Sequence, residues 1–457
     1  MVSRSIRNTL INIVGENNYL DSVEDRICYS YDATRKKSLP EAVIFPTTVS
    51  QVSEIMKLAN RYKIPVVPRG AGSGMTGGAV PSEGGMVMVM NNFNRILEID
   101  TDNLQAIVEP GVVTSSLHDT VEKAGLFYPP DPASMKHASI GGNIAENSGG
   151  MRAVKYGVTK DYVMGLEVVI PTGEIIHTGS KCVKDVVGYN LTQLFVGSEG
   201  TLGIVTKAIL KLLPLPEAKK TLTATFSSME LAAKTVSGII KKRIIPTTME
   251  FLDKHSICAV EDFLHIGLPT NAGALLLIEV DGDADLIGKD IERIRAVCQS
   301  NQALEIKTAA DEKELNELWK ARRSVSPSLL KIRHVKINED IVVPRSKIPD
   351  IIQKIEKIAD KHHLVIVNFG HAGDGNVHVN VLSSNDNDEL TRASHAVDDI
   401  FNAVIELDGR ISGEHGIGIT KRDYIELCID KPTLSLMRQI KKLLDPNNIL
   451  NPGKIFP

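Results

Sequence analysis

Two short segments framed by glycine supply side chains that could bind a metal and move a proton. The segments read NFGHAGDGNVHVN and SGEHGIG, and their ionisable candidates are His371, His378, Glu414 and His415. His371 and His378 are seven residues apart, so a straight strand would point them to opposite faces, but the Gly373-Asp374-Gly375 turn can bring the imidazoles together. Two histidines and one carboxylate with an open position form a divalent metal site that suits zinc, iron or manganese. The alternative is that these loop histidines only cap turns.

A glycine-dense loop with the sequence RGAGSGMTGGAVP covers residues 69–81. Its glycines satisfy the dinucleotide pattern G-x-G-x-x-G, but that pattern opens a helix, whereas Pro81 and then a predicted strand follow here. The spacing therefore excludes a Rossmann domain. Such a loop exposes many backbone N–H groups and Arg69 adds positive charge, so it predicts a diphosphate ligand. The alternative is a flexible surface loop.

Two further clusters of small residues follow the glycine loop. The first reads PPDPAS at 129–134 and continues as SIGGNIAENSGG at 139–150, and the second reads GSEGTLGIVT at 197–206. Small side chains let a planar aromatic ligand lie against the backbone. In this order the three clusters resemble the FAD-binding domain of the vanillyl-alcohol oxidase / p-cresol methylhydroxylase flavoprotein superfamily. Within it, the chain resembles the glycolate oxidase FAD-linked subunit and bacterial D-lactate dehydrogenases from about Pro40 to Pro457.

The resemblance implies an α+β fold in three parts. A two-part FAD-binding domain would cover residues 1–216. A cap domain with a ferredoxin-like sheet would cover residues 217–415 and carry the substrate site, and a helical C-terminal segment at 416–457 would return to the FAD domain. The residues themselves support the first boundary, because Pro214 and Pro216 end a predicted strand and glycine becomes less frequent beyond them.

The resemblance also assigns an FAD cofactor to residues of the three clusters. The pyrophosphate would be held by residues of the glycine loop, namely Arg69, Gly70, Gly72, Ser73, Gly74, Thr76 and Gly77. The isoalloxazine side would be lined by Pro130, Ser134, Ser139, Gly142, Asn143 and Gly149. The adenosine side would be formed by Glu199, Gly200 and Ile204, and the tail at Asn451 would return toward the flavin. Some relatives attach FAD through a histidine of the glycine loop, but this loop has Ser73 and no histidine, so we predict non-covalent FAD.

In the resembling dehydrogenases the two histidine-bearing segments form the substrate site. His371, His378 and Glu414 match the metal ligands, and His415 matches the residue that takes the hydroxyl proton beside the flavin. Arg322 matches the substrate arginine, and a guanidinium binds a carboxylate bidentately, although a solvent-exposed basic helix face is the alternative. The remaining substrate candidates are Ser326, Lys336 and Asn376.

The resemblance implies FAD-dependent oxidation of a small D-2-hydroxy acid, D-lactate or glycolate, to the 2-oxo acid. The chain has no iron–sulfur or haem motif, so the electrons must leave to an external acceptor. We expect an acceptor protein, either an electron-transferring flavoprotein or an iron–sulfur subunit. The alternatives are a D-2-hydroxyglutarate dehydrogenase and a non-catalytic flavin subunit that relays electrons.

Composition limits the remaining classes of function. The 457 residues carry 52 Lys and Arg against 56 Asp and Glu, a net charge of −4 that argues against nucleic-acid binding. No apolar stretch approaches the roughly 20 residues that span a bilayer. The five cysteines are scattered, so a disulfide scaffold is not expected. We see no signal peptide and expect a cytoplasmic protein.

The elements that must position these residues follow from hydrophobic periodicity. Helices are predicted at about Arg4–Val14 and at Val49–Tyr62, the second with Thr48 or Ser50 as its N-cap. Gly203–Leu213 is predicted as a strand. Beyond Pro216, strands alternate with amphipathic helices, which predicts an α+β domain around one antiparallel sheet. The Thr172-Gly173 pair predicts a hairpin turn between two strands.

Overall fold

The computed structural model describes residues 2–34 and 36–457 and divides into two compact units. The first unit comprises Met1–Gly149, Val158–Leu215 and Glu414–Pro457. The second comprises Gly150–Gly157 and Pro216–Gly413. Each unit combines helices with its own sheet or sheets, so the α+β prediction is confirmed.

The strands fall into the two units in chain order. Those of the first unit are β1 (Tyr19–Leu20), β2 (Ala42–Ile44), β3 (Val66–Arg69), β4 (Met86–Val89), β5 (Ile96–Asp100), β6 (Gln105–Val108), β7 (Leu126–Phe127), β8 (Val163–Val169), β9 (Ile175–Gly179), β10 (Ile204–Lys211) and β11 (Leu213–Pro214). Those of the second unit are β12 (Ala218–Phe226), β13 (Thr248–Asp253), β14 (Ala274–Gly282), β15 (Glu305–Thr308), β16 (Val335–Val342), β17 (Val365–His371) and β18 (Asn376–Ser383).

The α-helices are also numbered in chain order. They are α1 (Arg4–Val14), α2 (Val23–Cys28), α3 (Val49–Tyr62), α4 (Thr114–Lys123), α5 (Ile140–Glu146), α6 (Ala153–Tyr156), α7 (Leu191–Phe195), α8 (Met229–Lys241), α9 (Lys254–Leu264), α10 (Ile287–Ser300), α11 (Glu312–Ser328), α12 (Ile348–His362), α13 (Asn387–Ile405) and α14 (Lys431–Leu444). Of these, α6 and α8 to α13 belong to the second unit.

The first unit contains two main sheets. One has the order β1-β2-β4-β3, in which β4 runs parallel to both β2 and β3, and the other is antiparallel with the order β5-β6-β10-β8-β9. Helices α1 and α3 cover the first sheet through apolar residues at helical spacing, such as Val52, Ile55 and Met56. Thr48 caps α3 by accepting a hydrogen bond from the Gln51 N–H. No helix lies between β3 and β4, which confirms the exclusion of a Rossmann crossover.

The second unit is built on one seven-stranded sheet, whose order is β15-β12-β14-β13-β17-β18-β16. Every neighbouring pair is antiparallel. Helices α9 and α11 pack on it, with Val260 and Val325 against Phe369 and Leu382 of the strands. This packing fixes α11, the helix that carries Arg322, against the sheet.

Three local predictions can be compared with the observed elements. Helices α1 and α3 have the predicted bounds, and β8 and β9 form the predicted hairpin around Thr172 and Gly173. The predicted strand Gly203–Leu213 breaks after Lys211, and Leu213 and Pro214 pair with β7 instead. Helix α5 was not predicted, because Gly141 and Gly142 disfavour a helix by about 1 kcal/mol each. It is defined by its ends: Ser139 accepts from the Gly142 N–H, and Asn147 ends it with φ of 51°.

Candidate functional site

A cavity in the first unit is walled by all three glycine-rich clusters. Many of the predicted FAD residues line it: Arg69, Gly70, Gly72, Ser73, Gly74, Ser134, Ser139, Gly142, Asn143, Glu199, Gly200 and Ile204. Glu414 and His415, which also belong to this unit, line the same cavity. The chain therefore brings both glycine loops, helix α5 and the start of the C-terminal segment to one concave surface.

Close backbone approach explains the glycines of this cavity. A Cβ on Gly70 would lie 2.3 Å from the Ser139 Oγ, so the glycine loop can meet α5 only without a side chain there. Gly200 has φ of +66°, and a Cβ there would lie 2.8 Å from the Pro68 ring. Arg69 is buried and donates from Nη1 to the Tyr31 carbonyl at 2.7 Å, which fixes its cation at the start of the loop.

The other predicted FAD residues, Thr76, Gly77, Pro130, Gly149 and Asn451, do not line this cavity. Thr76 donates from Oγ1 to the His415 carbonyl at 3.1 Å and accepts from the Ile419 N–H, so it joins the glycine loop to the C-terminal segment. A Cβ on Gly149 would lie 3.0 Å from the Glu414 Oε2. Thr76 and Gly149 therefore lie next to His415 and Glu414, which do line the cavity.

Asn451 joins two loops of the cavity wall. Its Nδ2 donates to the Gly78 carbonyl at 3.1 Å and to the Glu199 carbonyl at 2.7 Å. Its backbone N–H donates to the Val66 carbonyl at 2.8 Å, which extends the edge of β3. The tail therefore returns to the glycine loop.

Two carboxylic acids meet in the cavity wall. Glu199 accepts hydrogen bonds from the Ile417 and Gly418 N–H groups, both at 2.7 Å. Burial raises the pKa of Glu199, and burial together with the neighbouring Glu199 raises the pKa of Glu146 well above its ordinary value. Glu146 was not singled out from the sequence, although a charged residue among small ones in SIGGNIAENSGG was a usable signal.

In the second unit, the β17–β18 hairpin brings the two predicted histidine ligands together. His371 ends β17 and His378 follows the turn on β18, and their Nε2 atoms are 3.4 Å apart. Both side chains are buried. Two nitrogens that are each about 2.0–2.1 Å from one tetrahedral ion lie roughly 3.4 Å apart, so the pair fits a zinc-like ion without rearrangement. The turn between them acts as predicted from Gly373-Asp374-Gly375.

Sequence reasoning missed Glu250, which contacts both a predicted metal ligand, His371, and the predicted substrate arginine, Arg322. Its Oε1 lies 2.7 Å from the His371 Nδ1, and its Oε2 lies 2.6 Å from the Arg322 Nε. Glu250 is fully buried. Its signal in the sequence is a charged residue inside the apolar strand TMEFLD, a position where a glutamate needs a partner.

The predicted substrate residues of this unit have distinct surroundings. Arg322 is buried, turns its Nε and Nη2 toward Glu250 and lies over the Phe369 ring at 4.9 Å. Lys336 donates from Nζ to the Ser326 hydroxyl and to its carbonyl, and burial lowers the pKa of this lysine. Arg322 is thus already paired with a carboxylate, whereas the Lys336 contacts are to neutral oxygens.

Asn376 donates hydrogen bonds to two residues of the neighbouring strand β16. Its Nδ2 donates to the Asp340 Oδ1 at 2.6 Å and to the Ile341 carbonyl at 2.8 Å. Asp340 also accepts from the Ser412 hydroxyl and from the Gly413 N–H, both at 3.0 Å. The Asn376 Oδ1 is a buried acceptor with no hydrogen-bond partner among the described residues. Asp340 therefore holds the end of the segment that leads to Glu414.

Comparison with protein families and curated proteins gives consistent matches along the whole chain. A family described as FAD binding domain matches residues 40–179, and one described as FAD linked oxidases, C-terminal domain, matches residues 215–455. The glycolate oxidase subunit GlcD of Bacillus subtilis is 49% identical over 100% of this chain and 97% of its own length. A D-lactate dehydrogenase of Anaerostipes hadrus is 36% identical over 95% of this chain and 93% of its own.

Solved structures share the fold. p-Cresol methylhydroxylase with substrate bound is similar with a TM-score of 0.83 at 19% sequence identity, covering 98% of this chain and 96% of that one. 4-Ethylphenol oxidase from Gulosibacter chungangensis gives a TM-score of 0.80 at 20% identity, covering 99% and 97%. The likeness to these structures confirms the predicted fold class. None of the helices in the described residues has the length and apolar character of a membrane span.

Proposed function

Because this chain belongs to the FAD-linked oxidases, we propose that it oxidises a small D-2-hydroxy acid, D-lactate or glycolate, to the 2-oxo acid. The observation that carries the proposal is the full-length similarity to a glycolate oxidase subunit, together with similarity to D-lactate dehydrogenases. The paired imidazoles of His371 and His378 support it, since a hydroxy acid offers two oxygens to a metal held there.

FAD would occupy the cavity of the first unit without a covalent bond. The Gly70 and Gly72 backbone beside Arg69 would receive the diphosphate, because N–H groups and a fixed guanidinium complement its charge. The glycine loop presents Ser73 where a covalent link would need a histidine. Bound FAD would supply the acceptor for the hydride that leaves the substrate α-carbon.

A divalent ion, zinc, iron or manganese, would be held by His371 and His378, with Glu414 as the third ligand that the resemblance implies. Both imidazoles are buried, and the orphaned Asn376 Oδ1 is a further neutral acceptor on the same hairpin. The ion would supply Lewis acidity toward the hydroxyl and carboxylate oxygens.

The chain's own residues would orient the acid and take its proton. His415 would accept the hydroxyl proton at an imidazole nitrogen, a role that histidine commonly takes in general base catalysis. Arg322 would meet the substrate carboxylate through its Nη1 edge, because its other edge is turned to Glu250. Lys336 and Ser326 would complete the anion site.

We expect the electrons to pass to a protein partner. The relative from Bacillus subtilis is named as a subunit of glycolate oxidase, and the sequence of this chain carries no iron–sulfur motif of its own. An iron–sulfur subunit or an electron-transferring flavoprotein would therefore reoxidise the flavin.

The test is anaerobic reduction of the purified holoprotein by D-lactate, glycolate and D-2-hydroxyglutarate, with L-lactate as the control. Bleaching of the flavin absorbance by D-lactate or glycolate, and not by L-lactate, is the expected result. Reduction by D-2-hydroxyglutarate alone would replace the substrate assignment, and no reduction by any acid would leave the relay-subunit alternative. A His415→Ala variant that reduces as fast as the wild type would contradict the proton-acceptor role.

A further inference from the structure

We propose that Glu250 is a positioning residue that holds His371 in the one tautomer able to bind a metal, and that Arg322 holds the Glu250 carboxylate in place. The inference rests on the metal site of the proposed function. The contacts of the two Glu250 carboxylate oxygens support it.

The geometry leaves one arrangement of protons. A carboxylate only accepts hydrogen bonds, so the 2.7 Å contact between the Glu250 Oε1 and the His371 Nδ1 requires the hydrogen to sit on Nδ1. The His371 Nε2 of a neutral ring then carries the lone pair, and this is the atom that faces the His378 Nε2 at 3.4 Å. A metal ligand needs that lone pair, so Glu250 selects the metal-binding form of His371.

Arg322 binds the other carboxylate oxygen of Glu250, Oε2. Its Nε and Nη2 both lie 2.6 Å from the Glu250 Oε2, and the exposed fractions of the two side chains are 7% and 0%. A guanidinium only donates hydrogen bonds and does so from a rigid planar fork, so it fixes the orientation of the carboxylate that it binds. It also prevents Glu250 from turning away from His371. The result is a continuous buried relay of contacts from α11 through β13 to the end of β17.

A purely structural role explains these contacts less well. Replacing a buried ion pair by apolar side chains of similar volume is often neutral or stabilising, so stability alone gives little reason for a glutamate in the strand TMEFLD. A half-buried histidine–carboxylate pair occurs elsewhere in the same unit, between His362 and Asp399 at 2.6 Å. The Glu250 pair differs because its histidine presents the opposite ring nitrogen to a second buried imidazole.

The test compares metal affinity among variants of the full chain that leave no buried charge unpaired. Glu250→Met with Arg322→Met removes both members of the ion pair and the acceptor for Nδ1. Glu250→Gln with Arg322→Met restores a neutral acceptor at the same place. Asp399→Asn is the matched control, since it alters a carboxylate–histidine contact outside the site. Each metal-stripped protein is titrated with Zn²⁺ alone and with Mn²⁺ alone by calorimetry, and its folding is checked by circular dichroism.

We expect Zn²⁺ affinity to fall about 10- to 100-fold in the double Met variant, a typical effect of losing such a partner. The Gln-containing variant should recover part of this loss, and Asp399→Asn should bind like the wild type. ¹⁵N NMR of histidine-labelled protein should show a proton on Nδ1 of His371 in the wild type and a mixture of tautomers in the double Met variant. If that variant does not fold, Glu250→Gln carries the test, with an expected loss of about 10-fold, although this single variant leaves the buried Arg322 with a neutral partner.

Either of two results would overturn the role of Glu250 and leave the proposed function intact. One is a double Met variant that binds Zn²⁺ within twofold of the wild type, and the other is a wild-type His371 protonated on Nε2. A wild-type chain that binds neither ion would remove the metal from the proposed function and the Glu250 role with it. Flavin reduction by D-lactate or glycolate would still decide the redox activity, so the two failures are distinguishable.

Discussion

Asn451 offers a sharp test of how the C-terminal tail supports the cofactor cavity. One side-chain amide bridges the carbonyls of Gly78 and Glu199, and both of these residues line the cavity. Asn451 also has φ of 44°, in the left-handed region that asparagine tolerates better than alanine does. Asn451→Ala therefore removes the bridge and strains the backbone at the same position.

The expected loss can be worked out from these contacts. Two hydrogen bonds contribute about 1 kcal/mol each, and alanine in the left-handed region costs about 1 kcal/mol more. The Asn451 Oδ1 is buried without a hydrogen-bond partner among the described residues, so deleting it returns about 1 kcal/mol. The net destabilisation is about 2 kcal/mol. If FAD must then order the two loops itself, its affinity falls by up to about 30-fold.

Asn448→Ala is the matched control, because Asn448 has φ of 50° in the same tail but is exposed. It should carry the backbone cost of about 1 kcal/mol and leave FAD affinity unchanged. Urea denaturation of the apoprotein measures the stability, and quenching of flavin fluorescence measures the FAD dissociation constant. Equal values for the two variants in both assays would refute the bridging role of the Asn451 amide.

Two further predictions concern the same unit. Gly70→Ala should weaken FAD binding at least 10-fold, because its Cβ would lie 2.3 Å from the Ser139 Oγ and force the glycine loop away from α5. The control is Gly288→Ala, whose Cβ would meet nothing nearer than 4.0 Å. Equal FAD affinity in the two variants would contradict the close approach of the glycine loop to α5. Burial lowers the pKa of Lys454 from 10.5 to about 8, so the unfolded chain binds the extra proton between these values and stability should rise with pH across that window, by about 3 kcal/mol. Urea denaturation from pH 8 to 10.5 should show this rise in the wild type and lose it in Lys454→Met, and parallel curves for the two proteins would count against the shifted pKa.

Local signals were readable from the sequence, and long-range pairings were not. Thr48 and the apolar spacing of Val49–Tyr62 lie within one element, so the bounds of α3 could be predicted. The Gly373-Asp374-Gly375 turn likewise predicted that His371 and His378 would meet. Glu250 is 121 residues from His371 along the chain, and nothing local shows that β13 and β17 are neighbours. The unit to which Glu414 belongs was equally a matter of tertiary contacts.

Strand register explains why the polar groups of the second unit converge once the strand order is known. Directly opposite residues of antiparallel strands point to the same face, and Glu250 lies opposite His371, which lies opposite Asn376. His378 is two residues along β18 from Asn376, so its ring is the diagonal neighbour of His371 on that face, and Asp340 lies opposite it on β16. A slip of one residue at any of these pairings would turn a strand's polar set to the other face. The short turn between β17 and β18 therefore fixes the two imidazoles relative to each other, while Glu250 fixes which nitrogen of His371 the pair presents.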